Sequence, residues 1–192
     1  MGEDSPCCIA GFPLDTSLMR WMWIDRVVEL VPAQRLVAIK HVSMAEEHLH
    51  DHFAASGSHA AQPIMPMSLI VEGMAQTAGI MVGHAEQFRH KVILAKVSKA
   101  EVREDATPGC TLRYTATMER MDATGASTRG VVELCSPQLG REGAGGSFRE
   151  VGTIDLMFSH LDNNMQGLTF PEHNFVFGEG FKTLLRMSGV IQ

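Results

Sequence analysis

The sequence predicts an α+β fold in which a long central helix is wrapped by a curved antiparallel β-sheet. Three observations point there. Residues 63–83 (PIMPMSLIVEGMAQTAGIMVG) are apolar or small at nearly every position, as in a helix buried on all sides. Runs rich in Val, Ile and Thr precede and follow that stretch, the composition of half-buried strands. Short clusters of Pro, Gly and Asp separate the runs.

Residues 1–15 (beginning MGEDSPCCIAGF) read as a loose leader; they are acidic and lack a basic segment followed by an apolar run, so no signal peptide is expected. Residues 21–31 (WMWIDRVVELV) and 35–43 (RLVAIKHVS) flank Pro32-Ala33-Gln34 and predict a β-hairpin. Residues 44–62 read as a loop or short irregular element. The helix follows, with Pro66 expected in its first turn, where a missing N–H costs nothing, and Gly79 and Gly83 weakening its far end. After a polar break at 84–91 come strands at 92–103, 111–121 and 127–136, a mobile hairpin loop at 137–147, and a last strand at 148–159. The expected order is a strand pair, one buried helix, then an antiparallel meander, making one domain over 16–160. Residues 161–192 form an extension with Phe170, Phe175, Phe177, Phe181 and a short helical candidate at 181–187.

Composition excludes several classes of partner. Sixteen basic against 22 acidic residues give a net charge of −6, so nucleic acid is not an expected ligand. Cys7 and Cys8 are adjacent, no C-x-x-C pair occurs among the four cysteines, and reduced thiols in a cytoplasmic protein are expected. The 63–83 stretch is long enough to consider as a membrane span. Pro66, Glu72 and Gln76 within it, with no basic flank before it, argue for a soluble protein that does not enter the membrane.

Within the apolar helix Ser68, Glu72 and Gln76 recur at i, i+4 and i+8 and form one narrow polar stripe. A carboxyl group held among Leu, Ile, Val and Met has its pKa pushed upward, because desolvation disfavours the anion. That describes a proton donor. Upstream, His48, His50 and His52 occupy alternate positions, which on a strand would share one face and could hold zinc. The segment differs from the H-x-H-x-D-H motif of metallo-β-lactamase-like hydrolases, because Asp51 directly follows His50. No metal is expected, and a solvated acidic loop accounts for His48 and His50.

His52-Phe53, then Pro63-Ile64-Met65-Pro66, then Glu72-Gly73-Met74-Ala75-Gln76 resembles the signature of the 3-hydroxyacyl-(acyl-carrier-protein) dehydratases, hot-dog-fold enzymes of fatty acid synthesis of the FabZ/FabA type. Ile24-Asp25-Arg26-Val27 and Ala38-Ile39-Lys40-His41-Val42-Ser43 are similar to that family's first hairpin. Lys99-Ala100-Glu101-Val102 and Thr107-Pro108-Gly109 fall where the family has a strand and its Pro-Gly turn.

The resemblance implies the reversible dehydration of 3-hydroxyacyl thioesters to trans-2-enoyl thioesters, with no cofactor. His52 is then the base at the α-carbon and Glu72 the acid at the β-hydroxyl, the two meeting across a dimer interface. Backbone N–H groups at the helix N-terminus, from Met67 onward, hold the thioester oxygen, and Pro66, Phe53 and Gln76 line the substrate site. The implied partners are an acyl carrier protein and a second copy of the chain, as a homodimer or a higher homo-oligomer such as a trimer of dimers. A basic patch at Arg89, Lys91, Lys96, Lys99 and Arg103 is expected to steer the acidic carrier.

The chain departs from the family pattern at three places. Ala54-Ala55 and an insertion within ASGSHAAQ replace the Pro-Gly after His-Phe and introduce His59 as a rival base. Met67 stands where the family has a glycine. Arg20-Trp21-Met22-Trp23 replaces an aromatic-proline run on one wall of the acyl tunnel. The phenylalanines of the extension either cap that tunnel or pack as ordinary core. Two other readings stay open: a hot-dog acyl thioesterase, and a non-catalytic acyl-binding subunit.

Overall fold

Val27, Leu36 and Ala38 are buried where two strands pair, β1 (Arg26–Val31) and β2 (Arg35–His41), joined by a turn in which Gln34 N donates to Val31 O. The computed structural model describes residues 21–136, 146–161 and 176–192. The expected loop at 137–147 therefore lies largely outside the described residues, as do the leader, Phe170 and Phe175. Trp21–Trp23 does not extend β1 as the sequence suggested. It is held instead by a side chain of the central helix, described below.

A single helical turn, α1 (His48–Asp51), follows and buries Leu49. The long helix α2 runs from Met67 to Ala85, with every residue from Gly73 to Gly83 buried. Pro66 is its N-cap rather than a member of the first turn. The ψ of 135° at Pro66 is extended, so the helix starts one residue later than Pro66. Where α2 packs on Tyr114, Gly73 is required: a Cβ there would lie 2.6 Å from the buried Tyr114 hydroxyl oxygen.

Four long strands complete the sheet: β3 (Lys91–Val102), β4 (Thr111–Asp122), β5 (Gly125–Cys135) and β6 (Arg149–Leu161). A last helix, α3 (Glu179–Met187), buries Leu184 and Leu185 and lies against β1, where Val27 N donates to Ser188 Oγ. The strand order is β1-β2-β4-β5-β6-β3, all antiparallel, with α2 across one face.

The meander therefore holds for β4, β5 and β6 but not for β3. Strand β3 sits at the far edge beside β6, with Lys91 opposite Leu161 and Val102 opposite Gly152. The local cause lies in the 107–110 turn. Gly109 N donates to Val42 O and Val42 N to Cys110 O, which ties the turn to the end of β2 and starts β4 on that side. Among the described residues β3 has no partner strand on its outer edge, and it carries half-exposed Leu94 and Val97. An exposed apolar edge of this kind is a template for pairing with another chain.

Candidate active site

The polar stripe on α2 is built as its spacing predicts. Gln76 is buried and its amide is fully engaged: Oε1 accepts from Trp23 N (2.8 Å), while Nε2 donates to Trp21 O (2.7 Å) and to Glu72 Oε1 (3.0 Å). One side chain thus fixes the 21–23 segment against the helix and orients the Glu72 carboxyl group. Burial raises the Glu72 pKa above the ordinary carboxylate value, and the hydrogen bond from Gln76 offsets part of that rise. Glu72 opens on a cavity of about 280 Å³ whose walls are apolar, among them Ala75, Ile80 and Phe158.

His52 caps α1 and is half-buried. Its Nδ1 lies 2.7 Å from Ile64 O, so a proton on Nδ1 donates to that carbonyl and leaves the lone pair on Nε2. Phe53 follows in the left-handed region at φ 59°, uncommon for a residue with a Cβ, and its ring lies 4.3 Å from the imidazole. A second cavity, of about 340 Å³, is bordered by His52, Phe53, Ile64 and Met67. Met67 is the first residue of α2 and is 44% exposed, so its thioether borders the cavity without filling it. The amides of Met67 and Ser68 have no backbone acceptor among the described residues, as at any helix start.

His52 and Glu72 line different cavities. Of the sequence-derived candidates, His52, Phe53 and Met67 form one group, Glu72 and Gln76 another, and Pro66 sits at the helix start beside the first.

The insertion after Phe53 closes on itself. Ser56 and His59 exchange backbone hydrogen bonds across Gly57-Ser58, with Gly57 at φ 58°, and Gln62 N donates to Phe53 O (2.9 Å). The excursion leaves and returns at one point, so it does not displace His52 from Ile64. His59 is exposed on its tip side and does not border the His52 cavity. If His52 is a catalytic base, His59→Ala is accordingly expected to keep activity within about twofold; steady-state kinetics beside His52→Ala would check it, and an equal loss in both would bring the insertion into the site.

The alternate histidines do not share a face, because His48 and His50 lie on a helix rather than a strand. Their rings have separate occupations. His50 Nε2 lies 2.9 Å from Met44 O, and His48 packs edge-on against Trp23 at 5.1 Å, its pKa lowered chiefly by burial. No group of three metal-binding side chains occurs among the described residues. No described helix is long and apolar enough to cross a membrane.

Sequence reasoning missed Glu104 and Asp105, which border the His52 cavity, with Glu104 paired to Arg149 (3.1 Å, Nε to Oε1). Nothing local signals this pairing, which joins residues far apart in the chain. The expected basic patch is partly neutralised: Lys99 pairs with Glu101 (3.5 Å), and Arg103 pairs with Glu101 and Glu150 (3.1 and 3.3 Å).

The family model of the FabA-like domain matches residues 18–134. The 3-hydroxyacyl-(acyl-carrier-protein) dehydratase FabZ of Geobacter metallireducens is 38% identical over 96 residues, which are 48% of this chain and 60% of that protein. The FabZ of Symbiobacterium thermophilum is 37% identical over 102 residues, 53% of this chain and 68% of that protein. The bifunctional enzyme LpxC/FabZ of Chlorobaculum tepidum is 37% identical over 106 residues, 54% of this chain and 21% of that protein. The first two of these curated relatives to be matched, from Chlorobaculum and Geobacter, are thus spanned over less than two thirds of their length. Among solved structures, the dehydratase heterocomplex ApeI:P from Xenorhabdus doucetiae superimposes with a TM-score of 0.54 at 15% identity, covering 74% of this chain and 84% of that one. The shared architecture is the hot-dog fold.

Proposed function

This chain belongs to the FabA-like domain family, and on that premise we propose that it dehydrates 3-hydroxyacyl thioesters, carried on an acyl carrier protein, to trans-2-enoyl thioesters, reversibly. The observation that carries the reading is the Glu72 carboxyl group: half-buried, held by Gln76, its pKa raised by burial, and opening on an apolar cavity. A carboxylic acid that keeps its proton can protonate a departing hydroxyl.

In the forward direction His52 Nε2 takes the α-proton, the Cα electron pair forms the double bond, and the β-hydroxyl leaves as water with the Glu72 proton. Negative charge on the thioester oxygen during proton removal is met by helix-start amides at Met67 and Ser68. The two residues act together in a homodimer, His52 of one protomer with Glu72 of the other. Two observations support this. The two side chains face separate cavities in one protomer, and the outer edge of β3, whose Ile93 and Leu94 border the Glu72 cavity, has no partner strand among the described residues and suits a second copy. The carrier would be met by Arg89, Lys91 and Lys96, the positions of the expected basic patch with no ion pair among the described residues. Fatty acid synthesis in the cytoplasm is the setting this reading implies.

The test is to add trans-2-enoyl and 3-hydroxyacyl thioesters and follow enoyl absorbance in both directions. Interconversion without thiol release supports the reading. Release of free thiol would instead indicate a thioesterase, and binding without turnover a non-catalytic subunit.

A further inference from the structure

We propose that Phe177 and Phe181, from the segment after the sheet, form the end wall of the Glu72 cavity and set the length of acyl chain it accepts. The inference rests on the dehydratase reading only for the identity of the ligand. Both residues lie beyond residues 18–134, the part of the chain that the family model matches.

The geometry begins on α2. Glu72, Ala75, Gln76 and Gly79 line the cavity and recur at the three- and four-residue spacing of one helix face. Small side chains at 75 and 79 leave a trough along that face, and a Cβ at Gly79 would meet Phe158 only at ordinary contact distance, 3.6 Å. One turn further the trough stops. A Cβ at Gly83 would lie 2.6 Å from Phe177 Cζ, so the Phe177 ring sits directly on the helix backbone. From Glu72 to Gly83 the helix rises roughly 16 Å at 1.5 Å per residue.

The wall is braced. Phe177 is buried, packs edge-on against Phe88 at 4.9 Å, and meets Phe181 at 6.1 Å. Phe181 in turn is carried on α3, which buries Leu184 and Leu185 and lies against β1, where Val27 N donates to Ser188 Oγ. An apolar trough with a proton donor at one end and a fixed aromatic ring at the other suits a linear acyl chain with its polar head at Glu72.

The experiment uses the full chain and saturated acyl thioesters of N-acetylcysteamine, in even-numbered steps from butyryl to palmitoyl, with binding read by calorimetry. In the unmodified protein, affinity is expected to rise about fourfold per methylene until the chain reaches the wall, then to stop rising. In Phe177→Ala and in Phe181→Ala the rise continues for at least one further two-carbon step, a gain of roughly tenfold or more at that length. Phe177→Leu, which shortens the ring without emptying the site, replaces Phe177→Ala if the latter fails to fold. The proposal is overturned if all variants stop at the same chain length, or if the unmodified protein shows no limit or no binding. Enoyl hydration measured on the same proteins separates the two claims. Shifted binding without hydration would sink only the dehydratase reading, and hydration with an unshifted profile would sink only the wall.

Discussion

Glu72→Gln is expected to lower kcat for interconversion of a 3-hydroxyacyl and a trans-2-enoyl thioester by roughly 10²–10⁴-fold, the usual contribution of a positioned acid. The substitution keeps shape and a hydrogen-bonding partner for Gln76 but has no proton to give. KM should change little, because the wall of the cavity is unaltered. The same variant carries a stability signature. Burial raises the folded-state pKa of Glu72 above its ordinary value near 4.5, so the folded state binds more protons than the unfolded one in that window. Stability contributed by the protonated group is full below the ordinary value and is lost as pH rises through the raised one. Glu72→Gln removes that loss. Its melting temperature relative to the unmodified protein should therefore climb as pH rises above the ordinary carboxylate range, a trend differential scanning calorimetry at several pH values would read. A variant that instead loses stability at every pH would mean that Glu72 is a structural ion held by a partner. Dehydration by the unmodified protein should likewise decline on the alkaline side, as the donor gives up its proton.

His52→Ala should cost a similar factor, roughly 10²–10⁴ in kcat, while the melting temperature moves by only a few degrees, since the ring is half-buried and makes one hydrogen bond, to Ile64 O. Retention of activity within tenfold in a folded His52→Ala protein would remove the imidazole from the chemistry.

Much of this arrangement is legible in the chain because its signals are local. The Ser68, Glu72, Gln76 stripe follows from helical spacing, and His52-Phe53 is set by adjacency. The position of β3 was not legible, because strand order depends on which distant edge the 107–110 turn meets, here Val42. Nor was the role of Gln76 as a clamp: its partners Trp21 and Trp23 lie 55 and 53 residues away, and they contribute backbone atoms that any sequence would supply. The seating of Phe177 on Gly83 shows the same limit. A glycine near a helix end reads as a weak helix former, and only the packed structure identifies it as the seat of a ring.

The claim on which the rest stands is that each site takes its base from one protomer and its acid from the other. Mixing inactive His52→Ala with inactive Glu72→Gln, after unfolding and refolding them together, tests it most directly. In a mixed two-fold dimer one of the two sites regains both native groups, so roughly a quarter of the unmodified activity should return at equal mixing. Activity that stays at the level of the separate variants, with mixed dimers demonstrated by mass spectrometry, would contradict the shared site.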